Sequence, residues 1–414
     1  HAVFTGRRMI VCSRRSLLES LVDRLFDESR RTKWEIPARL EFGGPANAKA
    51  EDRPVFEALI SLDEARKDEQ FSKGLALPTE NVLGVLIAGG YVDLLSRAKY
   101  VTAALTLEPG RIDFRLRSDA GRTGMRPALI DFFAKPDGST TALAKAVPGE
   151  LLRMAWHRDL WPIYEDDAGV LAPTTLEKLR SDSNTQADAG FIGGLKFLET
   201  TSGDQRLYVT QPEEHGYRAQ PEKRLPGIGW SISLRDEARF RKDCFEPFVT
   251  LIKSPITAGV GRVTEEEHAG VKIYRAKFLE QIAEKQTGQF KHLLMNYDPS
   301  IAIANGELLF TSNAALLRKM IDAGPCQAAS ANSGPRTAPN AGDDRVDLLA
   351  VADFLAKYAQ AELRSDLVLK NGLSLEEANE EAKRLLEVIR HLARVERTTR
   401  LEPDLFELSH TIGP

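Results

Sequence analysis

The chain has 414 residues, 42% hydrophobic and 28% charged, with 56 basic against 60 acidic side chains and a formal net charge of −4. Those values describe an ordinary globular chain of two or three domains. They exclude a strongly basic nucleic-acid or acidic-membrane binder, because no global positive field exists to attract phosphate.

The first predicted element is a hairpin, residues 2–4 and 9–12 around Thr5-Gly6-Arg7. A helix follows, with Leu17, Leu18, Leu21, Val22, Leu25 and Phe26 on one face and Ser16-Leu17-Leu18-Glu19 as a capping box. Residues 7–33 are locally basic and read as a solvated helix face. A polar stretch over 34–73 carries a weaker helical pattern at 55–66. Residues 81–98 read as a buried helix. Alternation at 101–107 and 112–116, around Glu108-Pro109-Gly110-Arg111, predicts a second hairpin with one wet face.

Further on, residues 143–161 read as a helix interrupted near Pro148, and 174–183 as another helix. Strands are predicted at 206–210, 228–234 and 271–277, with a helix over 236–252. Asn305-Gly306 between apolar runs predicts a hairpin of 301–304 and 308–311. Residues 323–343 are rich in Ala, Gly, Ser and Pro and read as a flexible loop. Ser374-Leu375-Glu376-Glu377 opens a helix over 375–395, followed by a strand and turn.

Two stretches recur in the same order. Met9-Ile10-Val11-Cys12-Ser13 with Leu17, Leu18, Leu21 and Val22 matches Leu308-Leu309-Phe310-Thr311-Ser312 with Leu316, Leu317, Met320 and Ile321. Leu95-Ser96-Arg97 matches Leu392-Ala393-Arg394, and Leu107-Glu108-Pro109 matches Leu401-Glu402-Pro403. Ordered echoes of this kind predict internal duplication. The chain opens on His1, so the expectation is a start inside a larger protein, and no signal peptide can be read from it.

Catalytic signatures are sparse. The glycine-rich pieces lack a Gly-Lys-Ser/Thr ending, no serine sits in a Gly-x-Ser-x-Gly elbow, and no two histidines stand three or four apart. Cys12, Cys244 and Cys326 are too few and too scattered for a disulfide framework or a zinc site. No run reaches the roughly 20 apolar residues of a membrane helix. The most site-like patch is residues 156–167. Trp156, His157, Trp161, Tyr164, Asp166 and Asp167 offer aromatic faces and acids for a sugar, a peptide or a cation. The same residues equally read as tryptophans anchoring a helix end to a sheet, with the acids in the next turn.

Leu225-Pro226-Gly227-Ile228-Gly229-Trp230-Ser231-Ile232-Ser233-Leu234-Arg235-Asp236, then Glu267-His268-Ala269-Gly270-Val271-Lys272-Ile273-Tyr274, then Asn305-Gly306-Glu307-Leu308-Leu309-Phe310-Thr311-Ser312 form a recognisable series. It resembles large duplicated bacterial proteins of a domain-of-unknown-function family, usually predicted to be exported. The resemblance implies architecture and an envelope location, and carries no catalytic residues.

The expected fold is α+β, with tandemly duplicated units of antiparallel sheet, each covered on one face by helices. Residues 1–118 form an incomplete first unit of hairpin, helix, helix and hairpin. Residues 119–299 form a middle α+β unit. Residues 300–414 form a second copy of 1–118 that carries the flexible loop 323–343. The expected function is a non-catalytic binding or scaffold protein of the bacterial envelope, a subunit of a larger assembly. The alternative is a carrier of lipid or another apolar ligand. A hydrolase or metal-dependent enzyme would require His157 or His268 to meet carboxylates distant in sequence. The partner expected is a protein or an apolar ligand, with no nucleic acid and no transmembrane segment in this chain. No catalytic residue, metal or cofactor is assigned.

Overall fold

The computed structural model describes residues 2–5, 8–11, 54–133, 145–159, 161–165, 169–187, 195–213, 221, 223–254, 261–279, 281, 285, 288–324 and 340–413. The chain divides into a unit of residues 1–41 and a compact unit of residues 42–414. In the first, β1 (Ala2–Thr5) and β2 (Arg8–Val11) form the antiparallel hairpin, with Ala2 opposite Val11. The helix expected after it lies outside the described residues.

The second unit opens with β3 (Phe56–Ser61), α1 (Leu62–Ala65), α2 (Glu69–Gly74) and α3 (Val82–Arg97). β4 (Tyr100–Glu108), β5 (Arg111–Ser118) and α4 (Pro127–Phe133) follow. The helical pattern expected at 55–66 holds over α1 and is corrected at β3. Glu57, Ala58 and Leu59 favour helix on their own, yet Phe56, Ala58 and Ile60 pair with Leu105, Ala103 and Val101, and the period-two face wins. Asn81 caps α3 by accepting the Gly84 amide at 2.8 Å. Asp93 on that helix is buried, and it is held by Arg97 at 3.0 Å and by Arg126. Removing both arginines would strand a buried carboxylate, a loss of about 3–5 kcal/mol, whereas removing one leaves the other in place.

Next come β6 (Glu150–His157), α5 (Trp161–Glu165), α6 (Pro173–Ala187), α7 (Leu195–Thr200), β7 (Thr201–Thr210) and β8 (Gly227–Leu234). The helix expected over 143–161 is overturned at β6. Leu, Met and Ala at 151–155 are good helix formers. However, Leu151, Arg153, Ala155 and His157 are buried while their neighbours are half-exposed, the two-residue period of a strand. Residues 134–144 lie outside the described residues.

α8 (Glu237–Phe240) continues through a π turn (Arg241–Phe245) into α9 (Glu246–Ile252). Then follow β9 (Gly261–His268), β10 (Val271–Phe278), α10 (Gly288–Asn296), β11 (Ser300–Ala304), β12 (Glu307–Thr311) and α11 (Ala314–Ala323). The turn between β11 and β12 has positive φ at both Asn305 (55°) and Gly306 (74°), the geometry that matches strand twist.

The chain ends with β13 (Asn340–Asp347), α12 (Leu348–Phe354), α13 (Gln360–Asn371), α14 (Leu375–Leu392), β14 (Arg394–Leu401) and β15 (Phe406–Gly413). Part of the expected flexible loop 323–343 is thus strand, because β13 runs between β6 and β14 and its backbone is paired on both sides. Residues 325–339 are outside the described residues. The capping box at Ser374 forms in both directions, with Glu377 accepting the Ser374 amide at 2.9 Å and Ser374 accepting the Glu377 amide at 3.3 Å.

Thirteen strands make one antiparallel sheet in the order β3-β4-β5-β15-β14-β13-β6-β7-β8-β12-β11-β10-β9. Four segments among the described residues share one plan, strand, helical excursion, strand, strand: β3–β5, β6–β8, β10–β12 and β13–β15. The first and last meet through β5 and β15 and therefore run in opposite order across the sheet. Leu95-Ser96-Arg97 and Leu392-Ala393-Arg394 both stand where the excursion ends, and Leu107-Glu108-Pro109 and Leu401-Glu402-Pro403 both stand at the turn before the third strand.

Helices cover one face at the β4–β14 end, where Leu94 of α3 and Leu129 of α4 pack with Val101, Leu401 and Phe406. At the β8–β10 end both faces are covered, which differs from the one-sided expectation. Leu308 and Leu309 are neighbours on β12 and point oppositely. Leu309 packs with Leu316, Leu317 and Met320 of α11, and Leu308 with Phe240 of α8 and Val249 of α9. Among the described residues no helix is long and apolar enough to cross a membrane.

Candidate functional site

The patch expected at 156–167 is built on the end of β6 and on α5. Trp156 and His157 are consecutive on a strand, so they face opposite sides of the sheet. Trp156 is half-buried and His157 is buried. Trp161 and Tyr164 stand half-exposed on α5, whose Ile163 plugs the helix-covered core beside Leu171 and Leu176. The Tyr164 carbonyl accepts from Arg180 Nε at 3.1 Å, and burial pushes the Tyr164 phenol pKa up. Asp166 and Asp167 lie outside the described residues.

The partners of His157 come from elsewhere in the chain. Its Nδ1 lies 2.9 Å from Asp204 Oδ1. Asp204 sits where β7 departs from regular register with β8, between Thr201 and Gln205. Gly203 makes that departure fit, since a Cβ there would stand 2.6 Å from His157 Cε1 and 2.5 Å from the Asp159 nitrogen. The Arg158 amide donates to the Gly203 carbonyl at 2.6 Å. Asp159 pairs with Arg235 beyond β8, and Arg239 grips Glu199 through two bonds of 2.6 Å. The imidazole Nε2 is buried with no hydrogen-bond partner among the described residues.

An imidazole oriented by a carboxylate can serve as a base, and covalent hydrolysis would add a protein nucleophile within hydrogen-bond reach. None of the contacts found among the described residues links Nε2 to a hydroxyl or thiol. His268 also meets a distant carboxylate, with Nε2 2.7 Å from Asp322 Oδ1, and this contact fastens the β9–β10 turn to α11. Among the described residues no three His, Cys, Asp or Glu side chains are grouped to hold a metal ion. Cys244 is buried among Phe240, Phe245 and Val249, and burial pushes its thiol pKa up, away from the reactive thiolate. The contacts of His157 are those of a tie that locks the strand end of β6 to β7 and β8. Sequence reasoning included Asp159 in the patch but missed Asp204 and Arg235; the one local signal was Ser202-Gly203-Asp204, a glycine inside an otherwise strand-like run.

A different surface is visible only in the sheet register. Leu107, Ile112, Ile412, Val395, Val346, Leu152, Val209 and Ile228 are successive direct partners across eight strands and share one face, the same face on which Val101, Leu401 and Phe406 pack under helices. None is fully buried, and Leu107 and Ile228 are exposed. Two shallow concavities lie elsewhere. One of about 440 Å³ is lined by Phe245, Val271 and Tyr274 among others, and one of about 380 Å³ by Arg111, Arg394 and Glu396 among others.

No family model, no curated protein and no solved structure matches this chain.

Proposed function

We propose that this chain is a non-catalytic binding or scaffold protein of the bacterial envelope, built from copies of one strand–helices–strand–strand module. The observation that carries the reading is the repetition of that plan in β3–β5, β6–β8, β10–β12 and β13–β15, with two echoed sequence anchors at matching places in the first and last. Duplication enlarges a surface, and the side chains best suited to chemistry, His157 and His268, serve as structural ties. Envelope location rests on the likeness of residues 225–236, 267–274 and 305–312 to a duplicated bacterial family usually predicted to be exported. Capture of one defined protein partner from an envelope fraction, with no stoichiometric metal and no co-purifying lipid, is the expected outcome. A bound metal with hydrolytic turnover overturns it.

A second reading has its own support. The apolar row across eight strands suits an acyl chain or another flat apolar ligand, and partly exposed contiguous apolar surface of this kind marks an interaction site. Mass spectrometry of solvent extracts from the natively purified protein separates the two, since the carrier reading requires a stoichiometric lipid.

A further inference from the structure

The concavity of about 440 Å³ lies where the π turn after α8 meets the start of β10 and the end of β11. Its volume falls in the range of small-molecule sites. Two tight turns border it. Ala269-Gly270, between β9 and β10, has positive φ at both residues (49° and 77°), as Asn305-Gly306 does. Turns this short hold the strand ends in fixed places.

The floor is apolar. Phe245, Ile303 and Ala304 are buried, and Val271 and Tyr274 are half-buried. Phe245 meets Tyr274 edge-on at 5.6 Å, so rings already pack here in the arrangement that aromatic quadrupoles favour. The π turn sets this floor. Its wider turn lets Cys244 and Phe245 both pack into the core against the sheet, and Arg241, where it begins, lines the same concavity.

The rim is cationic. Arg241 and Lys272 are the charged lining groups among the described residues, and Asn305 adds a side-chain amide. Glu237 holds Arg241 through Nε at 2.8 Å and Nη2 at 2.7 Å, which orients the guanidinium and leaves Nη1 without a partner among the described residues. Lys272 reaches Glu265 at 3.2 Å, and Lys253, 4.8 Å from the Tyr274 ring centroid, shares the same carboxylate. Glu237, Glu265 and Glu267 neighbour these cations, and none of the three lines the concavity. Ion pairs this exposed are weak, so each cation can share its charge with a ligand. A neutral ring would use the floor alone, and a bare anion the rim alone. A ring bearing an anionic substituent uses both, and a shallow site suits a ring better than a long acyl chain.

We infer that this concavity binds a small aromatic anion, with its ring against Phe245 and Tyr274 and its carboxylate, sulfonate or phosphate at Arg241 and Lys272. The site goes beyond the partner and lipid readings above and uses none of the eight side chains of the apolar row. The test is isothermal titration calorimetry of the full chain with 2-naphthyl phosphate, beside 2-naphthol, inorganic phosphate and octanoate. The expected result is one 2-naphthyl phosphate per chain, bound at least about tenfold more tightly than each of the other three. Arg241→Gln and Lys272→Gln alter exposed side chains, so melting holds while affinity falls at least about fivefold in each. No saturable binding of 2-naphthyl phosphate, equal affinity for 2-naphthol or octanoate, or indifference to both substitutions overturns the assignment. Each of those results leaves the capture of a protein partner to its own experiment.

Discussion

The two edges of the thirteen-stranded sheet are made differently. β9 reads Gly-Arg-Val-Thr-Glu-Glu-Glu-His, and two of its three acids are engaged. Glu265 meets Lys253 and, at 3.2 Å, Lys272, while Glu266 meets Arg318 at 2.5 Å. β3 reads Phe-Glu-Ala-Leu-Ile-Ser, with one charge and two large exposed apolar side chains. Charged outer strands are the common device against edge-to-edge growth. One edge of this sheet carries the device and the other does not, which teaches that the charge pattern of each edge strand is set independently in one continuous sheet.

The largest effect tests whether the two ends are coupled, since the core at the β4–β14 end and the core at the β8–β10 end are separate clusters. Phe240 is fully buried and meets Phe197 edge-on at 5.7 Å. Phe240→Ala should cost about 3–5 kcal/mol of stability. In a cooperative sheet, hydrogen-exchange protection in β4 and in β10 should fall together, and a loss confined to β10 would show that the two ends unfold separately. A smaller effect tests the guard itself. Glu265→Val with Glu267→Val should make this edge strand apolar, so that sedimentation detects species larger than those of the unaltered chain. An unchanged size distribution would remove the acids from that role.

The smallest effect concerns pH. Lys253 first, then Lys272, hold the Glu265 carboxyl below its ordinary pKa. A carboxyl lowered on folding contributes stability that is full above its unfolded pKa and is lost as pH falls through the folded value. Acidification through and below the usual carboxylate range should therefore speed amide exchange in β9 as this latch is protonated. High salt at neutral pH should loosen it in the same direction, since both groups are exposed. Insensitivity of β9 to acid and to salt would mean that the pairs contribute nothing there.

Much of the fold was legible wherever geometry is local. Asn305-Gly306, Pro109-Gly110 and the Ser374 capping box specify their turns and helix start through backbone dihedrals and short hydrogen bonds. β6 and β13 were illegible for the opposite reason. Glu150–His157 is a helix-favouring run and Asn340–Asp347 shows no apolar alternation, yet each lies inside the sheet. The candidate site divides the same way. Trp156 and His157 stand side by side in sequence and on opposite faces in space, while Asp204, 47 residues away, is the partner that orients the histidine.

By itself, the sequence determined the turns, the caps, the amphipathic helices and the echo between distant segments, because each depends on residues a few positions apart. Tertiary structure alone decided which strands lie inside the sheet and which face the solvent. The amides and carbonyls of an interior strand are satisfied only by strands far away in the chain, and that distant pairing overrides local preference.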